Sequence, residues 1–297
     1  MYMQRNMTPL LNAFARAWHT EHALLPVHED PLAKELLGQK NYELIAQYMA
    51  QGIDLFSPGF TGSPEEALAQ IVTQHLAPSP AGRSAFWEDA LKTAASLGVT
   101  QLIILGAGYD TFPYRQPEWA KKLTIFELDR EDQEKGKLSR LKAAGIPTPS
   151  NVHHGFADLT DPDWPSALLD HGFSREKPTF CCLMGAAHYL TRGEFPQVLT
   201  NLQELLPRGS SLAFDYPTPK LSAIQVQLAQ AAGEPIRGLY TFREMEMLLS
   251  RQGFLAYEHL TPADITARFF ASPNALSPHR AMEAAPGVNY CLAVRHR

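Results

Sequence analysis

The residues that could do chemistry in this chain gather around one stretch, "QLIILGAGYDTFPYR" (101–115). An apolar run of strand length ends in Gly106-Ala107-Gly108, and Asp110 follows. Glycine lets the backbone turn sharply and come close to a ligand. About twenty residues on, "KLTIFELDR" closes a second strand-like run with Glu127 and Asp129. An acid at that separation from a glycine turn commonly accepts hydrogen bonds from ribose hydroxyls. The phosphate-binding fingerprint calls for a third glycine, and Thr111 stands in its place. The turn and the acid without that glycine favour a nucleoside ligand that carries no pyrophosphate. S-adenosylmethionine is such a ligand, and its sulfonium cation is electrostatically suited to a position beside Asp110. These residues alone do not decide between S-adenosylmethionine and NAD, and Glu127 or Asp129 could equally be a solvated strand-end acid.

Four more side chains sit where they could meet a second substrate. Tyr114 and Arg115 follow the glycine turn, and His188 and Tyr189 follow "TFCCLMGA". The planar fork of Arg115 suits a carboxylate, unless it merely pairs with Asp110 or Glu127. His188 is the base candidate if the acceptor is a hydroxyl, and Tyr189 is a candidate for contact with substrate or cofactor. No HExxH spacing and no CxxC occur, so a zinc site is not expected. Neither GxSxG nor a Walker loop is present. Cys181 and Cys182 read as small apolar residues of a core strand. The run "REDQEKGKLSRLK" reads as a solvated helix face.

The elements that must position these groups change character along the chain. Residues 8–22, 29–38, 41–54, 64–76 and 82–97 carry apolar residues at helical spacing. Pro/Gly stretches such as "FSPGFTGSP" and "APSPAGRS" read as loops between them. Arg83 then stands at the start of a helix, where a solvated charge is its plain alternative. From residue 101 onward, strand-length runs alternate with helical segments at 131–145, 191–206 and 241–252. That alternation predicts a doubly wound α/β domain with strands buried on both faces. A reversed edge strand could follow a helix near 262–271.

Composition bounds the function. The chain has 297 residues, 45% of them hydrophobic, and a formal net charge of -5. No basic surplus is available to displace counterions, so nucleic acid is not an expected partner. Three cysteines cannot build a disulfide framework. No apolar stretch approaches the roughly 20 residues of a membrane span, and no leader is read at the N-terminus. A cytoplasmic protein with a small-molecule substrate, as a monomer or weak homodimer, is the expectation.

Several ordered motifs resemble the leucine carboxyl methyltransferase family: the glycine turn with Asp-Thr and Arg, "IFELDR", "ADLTD" (157–161) and "PTFCCLMGAAHYLTRGEF" (178–195). "GRSAFWEDAL" and "GEPIRGLYTFREMEMLLSRQGFLAYEHLTPADI" resemble its bacterial polyketide branch, the tetracenomycin-type carboxyl methyltransferases. The resemblance runs from about residue 14 to 270. It implies a class I methyltransferase: a seven-stranded doubly wound sheet with the last strand reversed, using S-adenosyl-L-methionine. It implies residues 1–80 as a helical cap, 81–297 as the core, and 217–240 as a lid-like insertion. Carried over, Arg83 holds the methionine carboxylate and Gly106 lines the pocket, with Ala107, Gly108 and Asp110 beside it. Asp129 holds the ribose, and Asp158 and Leu159 border the adenine. Arg16 faces the cofactor tail. Met184 stands where leucine carboxyl methyltransferases carry a glutamate. A carboxylate acceptor, already ionised at neutral pH, needs no general base, whereas a phenol does. The expected activity is therefore O-methylation of a small-molecule acid.

Overall fold

The computed structural model describes residues 7–231 and 233–296. Residues 1–6, Ala232 and Arg297, at the edges of the expected cap, lid and core, lie outside that description. The first part is helical: α1 (Met7–His22), α2 (Leu32–Leu37), α3 (Gln39–Gln51), α4 (Ile53–Phe56), α5 (Pro64–Ile71), a π-turn at Val72–Leu76, and α6 (Pro78–Ser96). Then β1 (Gln101–Leu105), β2 (Thr124–Asp129), α7 (Glu131–Ala144), β3 (Val152–Phe156), α8 (Ser166–Asp170), β4 (Thr179–Leu183), α9 (Glu194–Leu205) and β5 (Ser211–Pro217) follow. The chain ends with α10 (Ala223–Ala231), α11 (Phe242–Arg251), β6 (Phe254–Leu260), α12 (Pro262–Ile265), α13 (Ala271–Leu276) and β7 (Val288–Arg295).

The strands form one sheet in the order β3-β2-β1-β4-β5-β7-β6. The first five are parallel, and β7 runs antiparallel to both neighbours. The expected reversed strand is thus present, but it is not at the edge. It fills the place between β5 and β6, which leaves β6 as the outer strand.

Strand side chains alternate between faces. Leu102, Ile104, Ile125, Phe180 and Cys182 join one apolar cluster, which also takes Phe14, Leu36, Leu37, Phe86 and Trp87 from the N-terminal helices. Ile103, Leu105, Phe126, Leu128, Cys181 and Leu183 join the other, against Leu168, Leu199, Leu202 and Leu249. Both faces are therefore covered, which is why these strands read as continuous apolar runs.

Three local readings need correction. "APSPAGRS" is not a loop: α6 begins at Pro78 and runs through Pro80 and Gly82. Prolines in a first turn remove only N–H groups that lack intrahelical partners anyway. A Cβ on Gly82 would lie 3.0 Å from the Tyr290 hydroxyl and 3.2 Å from the Phe270 ring, so glycine here permits close packing. As a result, Arg83 is carried inside a helix that lies over the sheet and is not a solvated helix-start charge. Finally, the charged run of α7 is not wholly solvated, because Glu134 and Lys137 are buried.

The buried charges are paired. Arg115 lies beneath α6, with Nη2 and Nη1 donating to the two carboxylate oxygens of Glu88 at 2.5 and 3.0 Å and Nε 3.6 Å from Asp30. Burial alone would raise the Glu88 carboxyl, but His28 and Arg115 pull it below the usual range. Asp30 is likewise held low, against its burial, by Arg16 and then Arg115. Replacing Arg115 by Ala strips Glu88 of its main cation. The expected cost is about 3 kcal/mol, which lowers the melting midpoint by roughly 5 °C at neutral pH. A carboxyl with a depressed folded pKa stabilises above its unfolded value near 4 and loses that contribution as pH falls. The gap between wild type and Arg115→Ala in thermal melts should therefore shrink below about pH 4; a pH-independent gap would contradict the pairing.

Candidate active site

Strand order reverses direction of growth between β1 and β4, and ligands of open α/β sheets bind beyond the strand ends at such a point. A cavity of about 370 Å³ lies there, a size typical of small-molecule sites, roughly 300–1,000 Å³. Gly106, Ala107, Gly108 and Asp110 line it from the end of β1, and Asp129 from the end of β2. Asp158 and Leu159 line it after β3, and Met184 and Tyr189 after β4. Arg16 and Arg83 reach it from α1 and α6.

The glycine turn is shaped for close approach. Gly106 and Gly108 have φ of +65° and +48°, a region side chains rarely adopt. A Cβ on Gly106 would lie 2.9 Å from that of Ala186. Asp129 anchors the turn: its Oδ2 accepts from Gly108 N at 2.7 Å and its Oδ1 from Arg130 N at 2.7 Å. Burial nonetheless leaves the Asp129 carboxyl above the usual range, with those two N–H groups opposing the shift. Ribose hydroxyls donating to its remaining lone pairs would further favour the ionised form. Thr111, where the third glycine would be, is buried and donates to Asp30 Oδ1 at 2.5 Å. Asp30 also accepts from Arg16 Nε at 2.7 Å, while Arg16 Nη2 donates to Tyr109 O at 2.6 Å. The third position of the fingerprint thus holds the turn to α1 and is closed to a phosphate.

On the other side of the cavity, the buried Asp215 of β5 gathers three donors. Arg83 Nε reaches its Oδ2 at 2.6 Å, His188 Nε2 lies 2.9 Å from the same oxygen, and Gly185 N donates to Oδ1 at 2.6 Å. Burial would raise the Asp215 carboxyl, but Arg83 first and then His188 hold it well below the usual range. A Cβ on Gly185 would lie 3.1 Å from Arg83 Nη1, so the missing side chain keeps that face of the guanidinium clear.

Three residues expected at the site are elsewhere. Arg115 does not line the cavity; the turn Phe112–Tyr114 carries it under α6, where Glu88 and Asp30 neutralise it. Glu127 shares a face with Asp129 but sits two residues, roughly 7 Å, deeper along the strand. There it is fully buried, accepting from the Tyr114 hydroxyl at 2.5 Å and from the Lys137 ammonium. His188 lies behind the cavity wall, its Nε2 engaged by Asp215 and 3.2 Å from Arg83 Nη2. It is not placed to take a proton from an acceptor in the cavity.

The residues that sequence reasoning missed are Asp215, Glu234 and Arg237. Glu234 and Arg237 line the cavity from the segment after α10. "SLAFDYP" reads as a core strand, so an acid within it was a signal that something buried must be neutralised. "GEPIRG" carries two opposite charges in a short Gly/Pro stretch, the kind of loop that presents functional groups.

The groups on the cavity wall fit S-adenosylmethionine. There is an acid for ribose, a glycine turn a Cβ would fill, an apolar wall at Leu159, and an arginine for a carboxylate. Residues 9–203 match the family described as leucine carboxyl methyltransferase. A Bacillus subtilis (strain 168) protein, YktD, named as an S-adenosyl-L-methionine-dependent methyltransferase, is 35% identical over 282 residues, covering 91% of this chain and 92% of its own. A Mycobacterium marinum (strain ATCC BAA-535 / M) protein named in the same way is 31% identical, covering 76% of this chain and 71% of its own. Among solved structures, a Thermobifida fusca YX protein described as a methyltransferase superposes with a TM-score of 0.56 at 18% identity, covering 85% of this chain and 95% of its own. A Streptomyces avermitilis protein of the DUF574 family gives 0.52 at 18%, with coverages of 83% and 96%. These two share the fold of class I methyltransferases. The chain belongs to the leucine carboxyl methyltransferase family and is an S-adenosyl-L-methionine-dependent methyltransferase.

Proposed function

We propose that this enzyme methylates a carboxylate oxygen of a small-molecule acid. The observation that carries the proposal is the pairing state of the cavity's charged groups. His188 is locked to Asp215 behind the wall. The Tyr189 hydroxyl, on the wall, is pushed up to about 12 by burial and then by Glu234, so it stays protonated at neutral pH. The carboxylates that line the cavity are weak bases toward a phenol. Among the described residues no group is placed to activate a neutral hydroxyl, whereas an acid with a pKa near 4 arrives ionised.

S-adenosylmethionine supplies an electrophilic methyl on sulfur. The work of the protein is to hold the nucleoside by Asp129, the glycine turn and Leu159, and to align the acceptor oxygen against that methyl. Arg237 supports the carboxylate reading: it lines the cavity, and its exposed side chain forms no hydrogen bond or ion pair among the described residues. It replaces Arg115 as the candidate cation for an anionic acceptor. Residues of α1 and of the stretch 233–237 line the cavity, and in this proposal the N-terminal helices and segment 217–240 serve as a water-excluding cap. The motif resemblance makes aromatic polyketide-like acids the first acceptors to test.

Methyl transfer to such acids should give an ester, which releases methanol in mild base. A base-stable ether would contradict the proposal. With the preferred acceptor, kcat/KM should stay flat from about pH 6 to 9, since the acceptor is ionised throughout; a rise toward a phenolic pKa near 10 would exclude the carboxylate. Arg237→Ala should raise acceptor KM about tenfold or more, with S-adenosylhomocysteine affinity unchanged. Asp129→Ala should weaken S-adenosylhomocysteine roughly 10- to 100-fold by calorimetry, and unchanged affinity would remove its assignment to ribose.

A further inference from the structure

Among the described residues, one buried carboxylate oxygen on the cavity wall is left unsatisfied. Glu234 Oε2 is buried and has no hydrogen-bond partner among the described residues, although Glu234 lines the cavity. Leaving a buried acceptor unmade is costly, and such groups call for an explanation. The backbone of Glu234 is held: its N–H donates to Ala229 O at 2.9 Å, which fixes it at the end of α10.

Its neighbours indicate what the oxygen awaits. Arg83, Tyr189 and Glu234 line the same cavity, and the Tyr189 hydroxyl responds to the Glu234 carboxylate and the Arg83 guanidinium in opposite directions. Arg83 uses Nε on Asp215 and turns Nη2 to His188. Its Nη1 makes no hydrogen bond among the described residues and faces Gly185, which has no side chain to cover it. A guanidinium N–H and a carboxylate oxygen without partners among the described residues, on the wall of one cavity, form a receptor for a zwitterion. The α-amino acid end of S-adenosylmethionine is a zwitterion. Asp110, another carboxylate of the wall, is on the β1 side, and its Oδ1 already accepts from Phe112 N at 2.8 Å. Met184, on the β4 side, offers only a thioether.

We infer that Glu234 receives the α-ammonium group of the cofactor, while Arg83 keeps the role the family resemblance implies for it and holds the carboxylate through Nη1. This rests on the S-adenosylmethionine assignment and adds to it a residue from the segment after α10. The segment following α10 would then be tied to cofactor occupancy, because the bond it makes exists only when the amino acid end is in place.

The test is calorimetric binding of three ligands to wild type, Glu234→Gln and Asp110→Asn. The ligands are S-adenosylhomocysteine, its analogue lacking the amino group, and 5′-methylthioadenosine, which lacks the whole amino acid. Glu234→Gln should weaken S-adenosylhomocysteine roughly 10- to 100-fold, the worth of a charge-assisted bond. It should leave the deamino analogue and 5′-methylthioadenosine within about twofold of wild type. Equal weakening of all three ligands would mean that Glu234 only supports the fold, and would overturn the assignment. So would an unchanged S-adenosylhomocysteine affinity, or an ammonium-dependent loss that appears in Asp110→Asn and not in Glu234→Gln. If wild type binds none of the three nucleosides, the cofactor reading itself fails and the Glu234 assignment falls with it; binding of 5′-methylthioadenosine by wild type separates the two cases.

Discussion

The buried carboxylate of Asp215 is the constraint on which the site depends. It stands in the middle of a core strand with no exposure, where an unpaired charge would cost several kcal/mol. It is neutralised by Arg83 from α6, by His188 after β4, and by the N–H of Gly185. One side chain thereby fixes the distance between the N-terminal helices and the strand ends, and sets which face of the Arg83 guanidinium is left for a ligand. Removing any partner would leave a buried charge, so the arrangement is held as a unit.

The same principle recurs twice around the cavity and explains why so many charged residues near it do no chemistry. Asp30 joins Arg16, Thr111 and Arg115, pinning the turn after β1 to α1 and α2. Glu127, Lys137, Tyr114 and His154 form a second buried group beneath Asp129. Burial and the Lys137 ammonium act on Glu127 in opposite senses, and burial prevails to raise it. These networks hold the glycine turn from two sides. The turn, anchored by the Asp129 carboxylate, can then present its backbone to a nucleoside.

Much of this was legible in the sequence, for identifiable reasons. The sheet was readable because strands covered on both faces are continuous apolar runs, and the turn because only glycine tolerates its φ values. Asp129 was readable because its separation from the turn is set by the crossover from β1 to the parallel β2, although that crossover carries only short 3-10 turns and no α-helix. What was not legible depends on which way a side chain points. Glu127 and Asp129 have the same type and neighbourhood, and only the depth along β2 separates a buried ion-pair member from a ligand contact. Arg115 follows the turn in sequence, but a single 3-10 turn sends it under α6. Prolines 78 and 80 looked like a loop, although a helix start tolerates both, and that hid the true position of Arg83. Glu234 and Arg237 belong to a loop whose role is visible only once the fold brings it over the strand ends.

The central claim is that the turn that lacks a third glycine holds a nucleoside without phosphates. Calorimetric titration of the purified protein with S-adenosylhomocysteine, with NAD as the paired control, tests it most directly. The account predicts saturable one-to-one binding of S-adenosylhomocysteine and no heat of binding with NAD. Binding of NAD alone would contradict it, because Thr111, bonded to Asp30, stands where a pyrophosphate-binding turn calls for glycine.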